Sequence, residues 1–164
     1  MPVQKLKLES KNLTYLHKDF YGGLSLAFEF IEKELGYDAL EEYWRRVART
    51  CYRPLIEKLR KEGLPALEEY LRGVFEPQAS RGPGQNGTGE PDFEITRTGD
   101  ELILKINRCP ALSHMREAGY PIHYRYCEHT RVVNETICKE AGYEATCEYD
   151  QDAARCVQRF KVSK

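Results

Sequence analysis

The spacing of apolar residues predicts an α+β domain in which an amino-terminal helical layer packs on an antiparallel sheet, and three features of the 164-residue chain carry that reading. In the first half apolar residues recur every three or four positions, the period of an amphipathic helix. In the second half they alternate with period two around short turns, the period of a strand. Between the halves, Glu76 to Pro91 offers almost nothing to bury. Residues 1–76 thus read as the helical layer, 77–91 as a flexible loop and 92–164 as a sheet with a cysteine-containing site. All three belong to a single domain, since a chain of this length can close a hydrophobic core without disulfide staples.

The elements follow in order. Leu16, Phe20, Leu24, Ala27, Ile31 and Leu35 form one helical stripe that Gly36 ends, and Gly22-Gly23 in its middle suggests close packing. Asp38-Ala39-Leu40-Glu41 reads as an aspartate variant of the capping box, opening a helix whose apolar stripe runs from Leu40 and Trp44 to Cys51 and makes Cys51 a core residue. Pro54 predicts a kink or restart after Arg53, and Gly63 a stop. Pro65 opens a further helix with Leu67, Tyr70, Leu71, Val74 and Phe75 on its buried face. Beyond the loop, Phe93–Arg97 and Leu102–Ile106 pair across Thr98-Gly99-Asp100 as a hairpin. Cys109-Pro110 leads into a short helix ending near Gly119, and a longer helix runs from His129 to Ala141, stopped by Gly142. Tyr143–Tyr149 and Arg155–Val162 close the chain as a second hairpin.

Charge and composition exclude several roles. With 25 basic against 26 acidic residues and no run of like charge, the chain has no electrostatic footprint for nucleic acid or an anionic membrane. The amino-terminal Met1–Leu8 lacks a signal-peptide pattern and no stretch is apolar enough to span a bilayer, so a cytoplasmic protein is expected. The N-x-[ST] sequons at Asn12, Asn86 and Asn134 are then coincidental. The glycines of the central loop match no phosphate-binding pattern.

Five of the six cysteines lie in roughly the last third, and in a reducing compartment clustered cysteines are ligands or nucleophiles more often than crosslinks. In the closing hairpin, Ala145, Cys147 and Tyr149 share one strand face, and Cys156, Phe160 and Val162 share one face of the next. If the faces coincide, Cys147 and Cys156 are neighbours onto which Cys127 can fold, with Glu144 near enough in sequence to supply an oxygen. Three thiolates and a carboxylate suit tetrahedral zinc. Small buried hydrophobes are the plainer alternative for the same cysteines.

Glu144-Ala145-Thr146-Cys147, followed by Arg155-Cys156-Val157-Gln158-Arg159-Phe160-Lys161-Val162, resembles the terminal signature of the vinyl-reductase-like ligand-binding domains. With Ile106-Asn107-Arg108-Cys109-Pro110 and Tyr126-Cys127 ahead of it, the pattern is similar to the L-2-amino-thiazoline-4-carboxylic acid hydrolase family over about 60 positions by this spacing. The first resemblance implies a helical layer on an antiparallel sheet and a metal held by Cys127, Glu144, Cys147 and Cys156. The turn between Cys147 and Cys156 is one residue longer than that pattern, and Thr130 stands where the hydrolases tend to carry aspartate.

The second resemblance implies a hydrolase that opens or desulfurises a five-membered N,S-heterocycle of the aminothiazoline-carboxylate or thiohydantoin type. Attack on an amidine-like carbon needs a nucleophile, a proton donor and a partner for the substrate carboxylate. Cys109 or Cys127 could be the nucleophile if cationic groups lower its pKa, with a zinc-bound hydroxide as the alternative. Cys109 precedes a helix start, which favours a thiolate. His123 and His129 are the candidates for acid–base work, Arg125 and Arg131 for the carboxylate, and Tyr124 for stacking on the ring. In a chain that is 31% charged, each of these histidines and arginines has a solvated surface role as its rival. No organic cofactor is expected. The competing reading is a non-catalytic sensor or partner domain with a structural zinc, whose output would pass through a partner or a homodimer.

Overall fold

The computed structural model describes residues 17–79 and 89–163. Outside them lie the Leu16 end of the first stripe, the leader reading of Met1–Leu8, the sequons at Asn12 and Asn86, and Ser80–Thr88 of the central loop. The chain is α+β, with four helices first: α1 (Phe20–Leu35), α2 (Tyr37–Cys51), α3 (Arg53–Glu62) and α4 (Leu64–Phe75), closed by a 3-10 turn at Glu76–Gln78. There follow β1 (Phe93–Thr98), β2 (Glu101–Ile106), α5 (Pro110–Glu117), α6 (Glu128–Ala141), β3 (Tyr143–Asp150) and β4 (Arg155–Val162). The strands form one antiparallel sheet in the order β1-β2-β4-β3. Among the described residues no helix is long and apolar enough to cross a membrane.

Sheet and helices meet over a single core. Leu102, Leu104 and Phe160 from the sheet, Phe28, Leu40, Trp44 and Leu59 from the helical layer, and Leu112, Met115 and Val132 from α5 and α6 are almost wholly withdrawn from water. Burying side chains of this size stabilises by about 1.5–3 kcal/mol each relative to exposure. α6 packs on α2 and α3 to one side and β3 to the other, which makes it the keystone between layers. It ends where Gly142 adopts a left-handed conformation and donates its N–H to the carbonyls of Cys138 and Lys139.

Three local expectations are corrected. α2 begins at Tyr37 after Gly36, so Asp38 lies inside its first turn and makes no capping bond. Cys51 is exposed, because α2 ends there and the chain turns outward at Tyr52 before α3. On α1 the buried face is Gly22, Ser25 and Phe28, while Phe20 and Leu35 are 60% and 70% exposed. The physical cause lies in the 120–123 segment. The Tyr120 ring lies against Gly22, Ser25 Oγ donates to the Pro121 carbonyl at 2.9 Å, and the His123 N–H donates back to Ser25 Oγ at 2.7 Å. These contacts rotate the helix about its axis relative to the stripe counted from hydrophobicity.

The two adjacent glycines therefore have opposite roles. A Cβ on Gly22 would stand 2.6 Å from Tyr120 Cδ2, whereas one on Gly23 meets nothing within 4 Å. Urea unfolding should show Gly22→Ala destabilised by about 1–3 kcal/mol through overpacking. Gly23→Ala should be stabilised by about 0.5–1 kcal/mol from helix propensity. Equal effects at both positions would refute the close-approach explanation.

Candidate functional site

The position of β4 between β2 and β3 creates the site. Cys147 stands opposite Gln158 and Tyr149 opposite Cys156, so all four share the sheet face turned toward the helices. Cys147 and Cys156 are diagonal neighbours. Gln158 Nε2 donates to the Cys156 sulfur at 3.4 Å, and the Cys147 thiol lies beside that sulfur as its titrating neighbour. Gln158 is buried, and its Oε1 accepts a 2.7 Å bond from Asn134 Nδ2 on α6, which decides which end of its amide faces the cysteine.

This arrangement separates the thiols chemically. Coupling to the Cys147 thiol, aided by the bond from Gln158, holds the Cys156 thiol below its ordinary range in spite of burial. The same coupling, together with burial, pushes Cys147 up. Cys109 and Cys127 behave contrary to the expectation of a lowered pKa. At the start of α5 the N–H groups of Leu112 and Ala111 do pull Cys109 down, but burial outweighs them. Cys127 is pushed up to about 12, first by burial and then by the neighbouring Cys109 and Cys156. Hydrogen bonds in the sheet, not cations, select the ionisable thiol.

A cavity of about 240 Å³ between the helical layer and the sheet is lined by Cys109, Cys127, Cys147 and Cys156 together. Its aromatic wall comes from Phe20, Tyr21, Tyr52, Phe75, Tyr126 and Tyr149. His129 also lines it. That ring is half-buried, its desolvation lowers its pKa, and its Nδ1 bonds to the Tyr126 carbonyl. The imidazole is thus neutral at pH 7, with Nδ1 as donor and Nε2 left as an acceptor. Among the described residues the sole cation on the lining is Arg155, half-exposed and 3.8 Å from Glu90.

The remaining sequence candidates sit elsewhere. His123 is buried outside this cavity, with Nε2 2.7 Å from Glu32. Tyr124 donates to Glu32 at 2.6 Å, and Arg125 lies 3.5 Å from Glu32 and stacks 4.3 Å above the Tyr37 ring. Arg131 is held on α6 by Glu128 and Glu135. Glu144 points to the opposite face of the sheet from Cys147, where it pairs with Lys161 at 3.2 Å. Strand alternation is the reason, since residues three apart fall on opposite faces. The proposed quartet of Cys127, Glu144, Cys147 and Cys156 is therefore not assembled. Among the described residues no cluster of three or more His, Cys, Asp or Glu side chains is arranged to hold a metal ion.

Two residues escaped the sequence reading. Gln158 lies two positions from Cys156 and two from Phe160, so period-two counting alone places it on the inner face. Gln151 in the closing turn accepts the Cys127 N–H at 2.9 Å and donates to the His123 carbonyl at 3.0 Å. It thereby clips the segment before α6 onto the hairpin, a long-range contact with no sequence signal. No family model matches the chain, and no curated protein matches it.

The thiol assignment predicts selective chemistry. In a Cys51→Ser background, iodoacetamide at pH 7 should label Cys156 ahead of Cys109, Cys127, Cys138 and Cys147, as read by peptide mass spectrometry. Gln158→Met should move the labelling profile of Cys156 to higher pH, because a donor to the thiolate is lost. Preferential labelling of Cys109 or Cys127 would show that the hydrogen-bond argument is wrong.

Proposed function

We propose that this chain is a thiol-dependent hydrolase for a five-membered N,S-heterocycle of the aminothiazoline-carboxylate or thiohydantoin type, with Cys156 as nucleophile. The observation that carries the reading is the hydrogen bond from Gln158 onto the Cys156 sulfur, with Cys147 beside it, within an aromatic-lined cavity. The resemblance of the closing hairpin to the hydrolase family supports the substrate class. The aromatic wall suits a flat ring, and Arg155 on the lining suits a carboxylate.

The chemistry closes without an added reagent other than water. The Cys156 thiolate adds to the amidine-like ring carbon, and the new carbon–sulfur bond is matched by cleavage of the bond from that carbon to the substrate's own sulfur. That sulfur takes up protons and leaves, as the ring-opened thiol of an aminothiazoline or as hydrogen sulfide from the exocyclic sulfur of a thiohydantoin, and an isothiourea remains on Cys156. Water then adds to the same carbon while His129 Nε2 takes its proton, and the Cys156–carbon bond breaks to release a carbamoyl product. In this scheme Cys147 and Gln158 are positioning residues for the thiolate. His129, a candidate from the sequence, replaces His123 as the base because it alone of the two lines the cavity.

Incubating the protein with a panel of thiazolines and thiohydantoins should release free thiol from the former and sulfide from the latter. Turnover should fall on the order of 10³-fold or more in Cys156→Ser and persist in Cys138→Ser. Because the nucleophile must be ionised, activity should rise with pH to a plateau reached below the ordinary thiol range near roughly 8.5. Absence of turnover across the panel would overturn the assignment.

The convergence of four thiols on one cavity favours a second reading, a non-catalytic domain that binds a small ligand. Glu144 faces away and the described thiols are not arranged as a metal cluster, so zinc would be held there only after Cys109, Cys127, Cys147 and Cys156 are drawn together. Elemental analysis of protein prepared without chelator should then find near-stoichiometric zinc that Cys147→Ser releases and Cys138→Ser retains. Metal-free preparations would leave the thiol reading alone.

A further inference from the structure

The thiol cavity adjoins a second one of about 230 Å³, and His129, Thr130, Gln158, Tyr52 and Phe75 serve as walls of both. This second cavity lies between the helical layer and α6 and, among the described residues, is lined by no Lys, Arg, Asp or Glu. Its volume exceeds the ~150 Å³ of an apolar cavity known to take up benzene. Among its walls is Trp44, the sole tryptophan of the chain, which is only 1% exposed. The Trp44 indole Nε1 is the one buried side-chain nitrogen or oxygen among the described residues without a hydrogen-bond partner.

A buried donor left without an acceptor costs about 1–3 kcal/mol, so an orphan in the wall of a cavity points to an acceptor supplied from outside the chain. We propose that the molecule bound at the thiol site carries an uncharged tail, an aryl or short alkyl group with one hydrogen-bond acceptor, which fills this second cavity and accepts the Trp44 N–H. The inference rests on the thiol reading and extends it. The head group sits against Cys156, the tail passes His129 and Gln158 at the junction, and the acceptor is a carbonyl or ether oxygen. A charged tail is excluded by desolvation, because no lining residue carries a compensating charge.

The test uses the intact protein in a Cys51→Ser background and two pairs of probes. N-ethylmaleimide reports the head site alone, and N-(4-phenylbutyl)maleimide reports head and tail together. The tailed reagent should modify Cys156 at least about tenfold faster, and saturating acetophenone should erase that advantage without slowing N-ethylmaleimide. Acetophenone should also move the single indole N–H resonance downfield and bind about tenfold more tightly than ethylbenzene, which lacks the acceptor. Trp44→Phe should equalise acetophenone and ethylbenzene. The wild-type comparison stands by itself if that variant does not fold. Failure of N-ethylmaleimide to select Cys156 would overturn the thiol reading. Selective reaction with no gain from the tail would overturn the tail alone. Equal binding of ketone and hydrocarbon to the wild type would overturn the acceptor on Trp44.

Discussion

The insertion of β4 between β2 and β3 is the constraint on which the rest of the molecule depends. Its register places Cys156, Gln158 and Phe160 toward the helices, opposite Ile106, Leu104 and Leu102 on one side and Tyr149, Cys147 and Ala145 on the other. A slip of one residue would turn Val157 and Arg159 inward instead. Burying the Arg159 guanidinium without a partner would cost several kcal/mol, and exposing Phe160 would forfeit a further contribution of about 1.5–3 kcal/mol. The apolar core therefore enforces the register, and the register assembles the thiol site as a consequence.

Among the described residues the polar side chains inside this core are few, and apart from the Trp44 N–H they are hydrogen-bonded. Gln158 and Asn134 join the sheet to α6 through their amides, and the remaining Gln158 donor reaches Cys156. One short chain of bonds thus serves both packing and chemistry. It satisfies amides that would be costly to bury alone, and it sets which of four neighbouring thiols ionises most readily. The result differs from a thiolate stabilised by cations, and the difference follows from position. The arginines near the site are engaged elsewhere, Arg125 with Glu32 and Arg131 with Glu128 and Glu135.

Charged clusters outside the cavity hold the walls rather than line them. Glu32 at the end of α1 gathers His123, Tyr124 and Arg125, and Ser25 ties the same segment two turns earlier. Together with Gln151 they fasten the connection before α6 to both α1 and the closing hairpin. The half-exposed Arg125–Glu32 pair contributes little by itself, about 0–1 kcal/mol, but with the buried His123 and Ser25 it fixes the relative placement of three segments that bound the cavity. The Trp44 ring is packed edge-on against Phe28 at 5.3 Å within the same core, so the second cavity is walled by rigid aromatic contacts.

Periodicity alone was enough for the α+β class, both hairpins, the helix closing at Gly142 and the shared inner face of Cys147 and Cys156, because those depend on local spacing and the alternation of a strand. The same alternation, applied strictly, separates Glu144 from Cys147 and places Gln158 beside Cys156. Tertiary structure decided the rest. It brought Cys109 and Cys127 to the hairpin thiols yet raised their pKa values by burial, and it sent His123, Tyr124 and Arg125 to Glu32. It also rotated α1 to seat Gly22 against Tyr120 and left the Trp44 N–H without a partner beside a cavity. Each of these is set by contacts between residues distant in sequence and by the water those contacts exclude, and neither quantity is written in the spacing of the chain.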